Sequence, residues 1–322
     1  MMLIDLADHG TLTLPDQLLV NLREVHGNRV DRWLKSLGAL LRGVLEEMDA
    51  SVAAGDPPLS YHLVFFATRS SGEEIVIKAT VPNHEQPPEV AAVEALSTAG
   101  IGPRLLWHDL DRGVLVMERI RPGETLPTHC PTLAEDAENT TVLASLARHM
   151  ADDIPVDRRL SSLVPVFEYS HALEEVDRHT SLWRQHRDDI ELALYLRNRL
   201  LRQSDSRHVF VHGDLHHYNV IANNGNAWRV IDPKGLVGPR AFEFGALVYN
   251  PVGIHHHPDL EAIERQRVDI WSEISGLPWE TVRSWGYIAA VLSACWAGQH
   301  GGSDWRDAMT VATTLRGLAP VR

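Results

Sequence analysis

The sequence predicts an α+β fold, with a small antiparallel-sheet lobe followed by a larger, mainly helical one. Three observations carry this. Residues 55 to 120 read as strand, strand, helix, strand, strand. Beyond residue 130, long segments repeat apolar residues at helical spacing, interrupted only between 209 and 233 by two short β runs. The length, 322 residues, is too great for one minimal core and suits two lobes.

Each element has its own signal. Leu18, Leu19, Leu22, Trp33, Leu34, Leu37, Leu41, Val44 and Leu45 recur near helical spacing, so residues 15 to 50 read as mostly helical. Gly55-Asp56-Pro57-Pro58 stops that stretch, because proline cannot continue a helix. Tyr61 to Thr68 and Ile75 to Ala79 flank the turn Ser70-Ser71-Gly72-Glu73 and read as an antiparallel hairpin. Pro87-Pro88 introduces a helix from Glu89 to about Ala99, closed by Gly100. Leu105 to Trp107 and Val114 to Met117 read as two more strands. Pro122-Gly123 marks a break, so the expected lobes are residues 1–120 and 121–322. Helices are expected over 138–151, 171–203, 240–250, 258–275 and 279–298, the first capped by Asn139, Thr140 or Thr141.

Composition narrows the function. Hydrophobic residues make up 44% and charged residues 23%, ordinary for a globular chain. The net charge of −13 argues against a nucleic-acid partner, since phosphate backbones need a basic surface. It is compatible with a cationic small molecule. No apolar run is long enough for a membrane span, and Met1 to Gly10 lacks a basic leader, so the expected location is cytoplasmic. Cys130 and Cys295 stand far apart without metal-ligand neighbours and read as reduced thiols.

The chemistry concentrates in His212-Gly213-Asp214-Leu215-His216-His217-Tyr218-Asn219 and Val230-Ile231-Asp232-Pro233. Phosphoryl transfer needs a carboxylate to orient a hydroxyl and take its proton, hard oxygens for a divalent ion, and a fixed cation for the phosphates. Asp214 follows the run 209–211, and Asn219 comes five residues later. Asp232 ends the next strand, across a turn at Asn223-Asn224-Gly225-Asn226 that brings it back toward Asn219. Lys78 ends a strand, and Glu94, sixteen residues on in a helix, is expected to hold its ammonium.

These residues resemble the aminoglycoside phosphotransferase family, a branch of the protein-kinase-like fold, and within it the streptomycin 6-kinase and hydroxyurea phosphotransferase group. The likeness rests on His212 to His217 with Asn219, on Ile231-Asp232-Pro233-Lys234-Gly235-Leu236-Val237-Gly238, on Leu292 to Trp296, and on Glu118-Arg119-Ile120 with Pro122-Gly123. It implies a two-lobed kinase that uses ATP and Mg2+ to phosphorylate a hydroxyl of a small molecule, with streptomycin the first expectation. Asp214 would be the catalytic base, and Asn219 and Asp232 the metal ligands. Lys78 would contact the phosphates and pair with Glu94, and the adenine would meet backbone groups of Glu118 and Ile120. His217 and Trp296 are candidates for the substrate side.

The sequence departs from the family pattern in three places. The loop from Gly55 to Tyr61 is not glycine-rich, which leaves Ser60 as its candidate phosphate contact. Phe242-Glu243-Phe244-Gly245 stands where many relatives carry Asp-Leu-Ala, so the aspartate that would brace the catalytic loop is either missing or replaced by Glu243. Ala297 to His300 follow Trp296 without acids. Three rival readings remain: a metal-dependent hydrolase built on His212, Asp214 and His216, a non-catalytic nucleotide-binding protein of the same fold, and a protein kinase, which is disfavoured because no recognisable activation segment lies between Asp232 and the next helix.

Overall fold

A computed structural model describes residues 1–55, 61–129, 131–176, 183–203, 208–224, 227–299 and 304–320. Strands β1 (Met2–Asp5) and β2 (Thr11–Leu14) form an antiparallel hairpin. Helices α1 (Asp16–His26) and α2 (Arg29–Glu47) follow. Next come β3 (Ala50–Val52), β4 (Leu63–Arg69), β5 (Glu74–Ala79), α3 (Gln86–Thr98), β6 (Leu105–Asp109) and β7 (Val114–Glu118). These five strands make one antiparallel sheet in the order β3-β4-β5-β7-β6.

Period-2 alternation in β4 turns Leu63, Phe65 and Ala67 into a core with Ile75 and Ile77 of β5 and Leu37, Leu41 and Val44 of α2. The leading hairpin joins the same core through Ile4, Leu12 and Leu14. That hairpin was not legible in the sequence, because its strands are only four residues each, too short to show a clear period.

Helix α3 joins the lobes. Its sequence is rich in alanine and valine on every face, as suits a helix buried on both sides. Val90 and Val93 pack with Leu115 of the sheet, whereas Ala91, Ala92 and Leu96 belong to the large core of the second lobe.

Next in the chain come β8 (Pro122–Thr125) and α4 (Leu133–Asp153). The cap of α4 is Thr132, whose hydroxyl accepts from the Glu135 amide while the Glu135 carboxylate accepts from Thr132. The expected cap at Asn139, Thr140 or Thr141 is therefore corrected: the N-cap lies about two turns upstream and starts the helix earlier. Then come β9 (Val164–Pro165), α5 (Val166–Tyr169), α6 (Ala172–Glu175) and α7 (Arg187–Leu201). They replace the continuous helix expected over 171–203.

Strands β10 (His208–Val211), β11 (Val220–Asn223), β12 (Ala227–Val230) and β13 (Leu236–Pro239) carry the site. The hairpin partner of β12 is β11, and β10 pairs instead with β13. Residues Arg240–Leu247 form a 3-10 helix rather than an α-helix. Helices α8 (Leu260–Ser275), α9 (Trp279–Gln299) and α10 (Trp305–Gly317) complete the lobe. No helix among the described residues is long and apolar enough to cross a membrane.

Candidate active site

A cavity of about 550 Å³ opens between the sheet and β11–β12. Its volume lies in the range of small-molecule sites. Val64, Phe66, Val76, Val93, Ile221 and Ile231 give it apolar walls, and Lys78, Glu89, Asn219 and Asp232 supply the polar groups. Glu118 and Ile120 line the same cavity. The Glu118 carboxylate is drawn away by the Arg104 amide and guanidinium, at 2.9 and 2.7 Å. The Arg119 guanidinium lies 3.5 Å from the Phe66 ring centroid, a cation–π contact on the cavity wall.

Lys78 is buried and its ammonium is shared by two carboxylates, Glu89 and Asp232. Burial would lower the lysine pKa, but Asp232 and Glu89 outweigh it and hold it above the ordinary value. The expected partner, Glu94, is corrected by this geometry. Glu94 is exposed on the far side of α3, while Glu89 in the first turn is buried against Lys78. Five residues turn a helix by about 140°, so the two acids cannot share a face.

Asp232 follows β12 with φ of 59°, in the left-handed region that aspartate tolerates better than most residues. Burial would raise its carboxyl pKa, yet Lys78, Lys234 and His62 drive it well below the usual range. Asn219 spends its side-chain nitrogen on the Asp214 carbonyl at 2.9 Å, so its amide oxygen is the atom left for a cation. Asn219 and Asp232 thus present hard oxygens to one cavity, a donor set that suits Mg2+.

Asp214 sits on a loop fixed from three sides. The His216 Nε2 stands 3.2 Å from Asp214 Oδ1. The Lys234 Nζ stands 3.8 Å from Oδ2. Burial raises the Asp214 pKa, but the charges and hydrogen bond of these neighbours prevail and hold it at about 2. Behind the loop, His212 Nδ1 accepts from the Asp214 amide at 3.2 Å and Nε2 donates to the Ile231 carbonyl at 2.9 Å. Burial pushes His212 down to about 4, which keeps this neutral tautomer.

Glu243 takes the bracing position. Its two oxygens accept from the His212 amide at 2.6 Å and the Gly213 amide at 3.1 Å. Burial pushes its pKa up to about 7, against the pull of those amides.

The remaining candidates separate. Trp296 is half-buried, and its ring meets Tyr169 edge-on at 5.1 Å between centroids. Tyr169 and Tyr249 both feel the Asp214 charge, which together with burial raises their phenols well above the ordinary value. Trp296 therefore joins an aromatic group in which Tyr169 also meets Phe242 edge-on at 6.1 Å between centroids. His217 does not face the cavity: it is fully buried, and neither ring nitrogen has a hydrogen-bond partner. Its expected place on the substrate side is corrected, because Leu215 and His217 both turn inward beneath the loop. Ser60 lies outside the described residues. Sequence reasoning saw Glu89 as the other acid of the same helix but preferred Glu94, and it missed Lys234 and Tyr169, of which Lys234, two residues after Asp232, had a nearby signal.

The hydrolase reading loses its ligand set here. Both His212 nitrogens are committed to backbone groups, so that residue has no lone pair left for a metal.

This lobe arrangement, with a lysine–glutamate pair in the sheet lobe and an Asp–Asn–Asp set in the helical lobe, defines a small-molecule kinase of the protein-kinase-like class. Residues 59–301 match the aminoglycoside/hydroxyurea antibiotic resistance kinase family, and the chain belongs to it. It is 25% identical over 306 residues to a streptomycin 6-kinase of Streptomyces glaucescens, covering 94% of this chain and 97% of that one. It is 29% identical over 249 residues to a hydroxyurea phosphotransferase of Kitasatospora aureofaciens, covering 74% and 66%. Its fold is similar to that of choline kinase LicA from Streptococcus pneumoniae, with a TM-score of 0.61 at 13% identity over 87% of this chain and 98% of that one.

Proposed function

We propose that this kinase transfers the γ-phosphoryl group of ATP to a hydroxyl of an aminoglycoside, with streptomycin the first candidate acceptor. The reading is supported most by one observation: Lys78, Asn219 and Asp232 line a single cavity, and Asn219 is bonded directly to the Asp214 backbone.

The adenine lies against Glu118 and Ile120, between lobes divided near residue 120. Lys78, held by Glu89, neutralises the α- and β-phosphates. Asn219 and Asp232 hold Mg2+, which supplies positive charge to the triphosphate. Asp214 orients the acceptor hydroxyl and takes its proton. Tyr169 and Trp296 form an aromatic face for the acceptor, which suits a cationic sugar. The reaction belongs in the cytoplasm, where ATP is supplied.

A coupled ADP-release assay with magnesium, run against streptomycin, other aminoglycosides, hydroxyurea and simple alcohols, tests this. Release above background with an aminoglycoside is the expected result. Turnover confined to hydroxyurea would remove the aminoglycoside assignment and keep the kinase.

A further inference from the structure

Lys234 is a second cation in the site that the roles above leave unused. Its ammonium lies 3.8 Å from Asp214 Oδ2, beyond hydrogen-bond length, and its side chain is 42% exposed. It is therefore near the base without being locked to it. The other oxygen of Asp214 already has His216 at 3.2 Å.

The backbone that carries Lys234 is held tightly. Its amide donates to the His212 carbonyl at 2.8 Å. Gly235, with φ of 69°, lies so close to Pro88 of α3 that a Cβ there would sit 2.2 Å from the Pro88 carbonyl oxygen. The lysine thus projects from a fixed point between the catalytic loop and the first turn of the helix that bears Glu89.

Two functions for such a cation can be weighed. As a helper of the base it acts in the wrong direction, because a nearby ammonium weakens the carboxylate as a proton acceptor. As a phosphate anchor in the resting enzyme it would duplicate Lys78, which is bound by Glu89 and Asp232. The space between Asp214 and Asp232 is where a phosphoryl group would pass, and the Lys234 ammonium stands on its Asp214 side, 3.8 Å from that carboxylate.

We propose that Lys234 is a catalytic residue whose ammonium meets the equatorial oxygens of the phosphoryl group in transit. The inference rests on the kinase reading of the cleft. As the acceptor oxygen bonds to phosphorus, the bond from phosphorus to the β-phosphate oxygen breaks, and ADP leaves with that electron pair. The acceptor proton passes to Asp214. Lys234 stays protonated throughout and donates hydrogen bonds to the group being transferred. A cation used this way contributes to the transition state more than to the bound nucleotide.

The test compares binding of MgADP alone with binding of MgADP plus fluoroaluminate, a mimic of the phosphoryl group in flight, and needs no identified acceptor. Wild type, Lys234→Met and Lys234→Arg are measured by titration calorimetry. Lys234→Met is expected to bind MgADP like wild type and to lose about tenfold or more for the fluoroaluminate complex. Lys234→Arg is expected to regain part of that loss. With an acceptor from the ADP-release assay, kcat of Lys234→Met falls about 100-fold with the KM for ATP little changed. Equal binding of both ligands by Lys234→Met and wild type overturns the proposal. An equal loss for both ligands also overturns it, because Lys234 would then be a resting-state contact. A wild-type protein that binds no MgADP sinks the kinase reading together with this inference.

Discussion

Lys78 and Asp232, 154 residues apart in the chain, meet as an ion pair across the cleft, and Glu89 completes the contact on the buried side. This arrangement assigns Glu89 a role that its neighbour Glu94 does not share. Glu89→Gln is expected to cost about 1–3 kcal/mol and to raise the KM for ATP, since Lys78 keeps only one carboxylate. Glu94→Gln is expected to stay within about 0.5 kcal/mol of wild type with unchanged kinetics. Chemical denaturation and steady-state kinetics on both variants check this; similar behaviour of the two would reverse the assignment.

Asp214→Asn removes the proton acceptor and keeps the shape. Phosphoryl transfer is expected to fall about 100- to 10,000-fold while MgATP affinity is retained. Near-normal turnover in this variant would reject Asp214 as the base.

Glu243→Gln puts an amide NH2 where an oxygen now accepts from a backbone N–H. One of the His212 and Gly213 amides then loses its acceptor, for an expected loss of about 1–3 kcal/mol. Because that loop carries Asp214, kcat should fall while the KM for ATP holds. Unchanged stability and kcat would show that the brace is dispensable.

His217 gives a pH-dependent prediction. Burial, with a smaller effect from Arg267, lowers its pKa to about 3 from an ordinary 6.5. The folded state therefore prefers the neutral ring, so the related stability is complete above 6.5 and is lost as pH falls toward 3. Replacing it by an apolar residue also removes two buried nitrogens without partners. His217→Leu is expected to be more stable than wild type, with the difference growing from pH 7 to pH 5. Thermal midpoints across that range would refute this if the gap stayed constant or closed.

Trp296→Ala opens the aromatic wall beside Tyr169. The KM for the acceptor is expected to rise about tenfold, with the KM for ATP unaltered. An equal rise in both constants would point to a general packing defect.

The parts of the site that were legible in the sequence are those set by short stretches of chain. Asp214 and Asn219 share one loop, and Asp232 follows the hairpin that returns to it, so their order already fixed their proximity. Lys78 was visible as a strand end, but its partner depended on the rotation of α3, and two acids on one helix do not reveal which face turns inward. Pro87 and Pro88 lie within the first turn of α3, so the helix starts earlier than Glu89. Tyr169 comes from a four-residue helix whose place against Trp296 depends on packing against β13 and α9. The pairing of β10 with β13 was equally hidden, because Leu236 to Pro239 is a short run containing glycine and proline.

The missing side chain at Gly235 has a consequence for how this enzyme can fail. The carbonyl of Pro88 rests where a methyl group would otherwise be, directly before the acid that steadies Lys78. Any larger residue at 235 would act as a wedge, tilting α3 and separating Glu89 from its lysine without touching nucleotide or acceptor. Activity is thus open to loss through one lesion that no inspection of the ligand contacts would reveal.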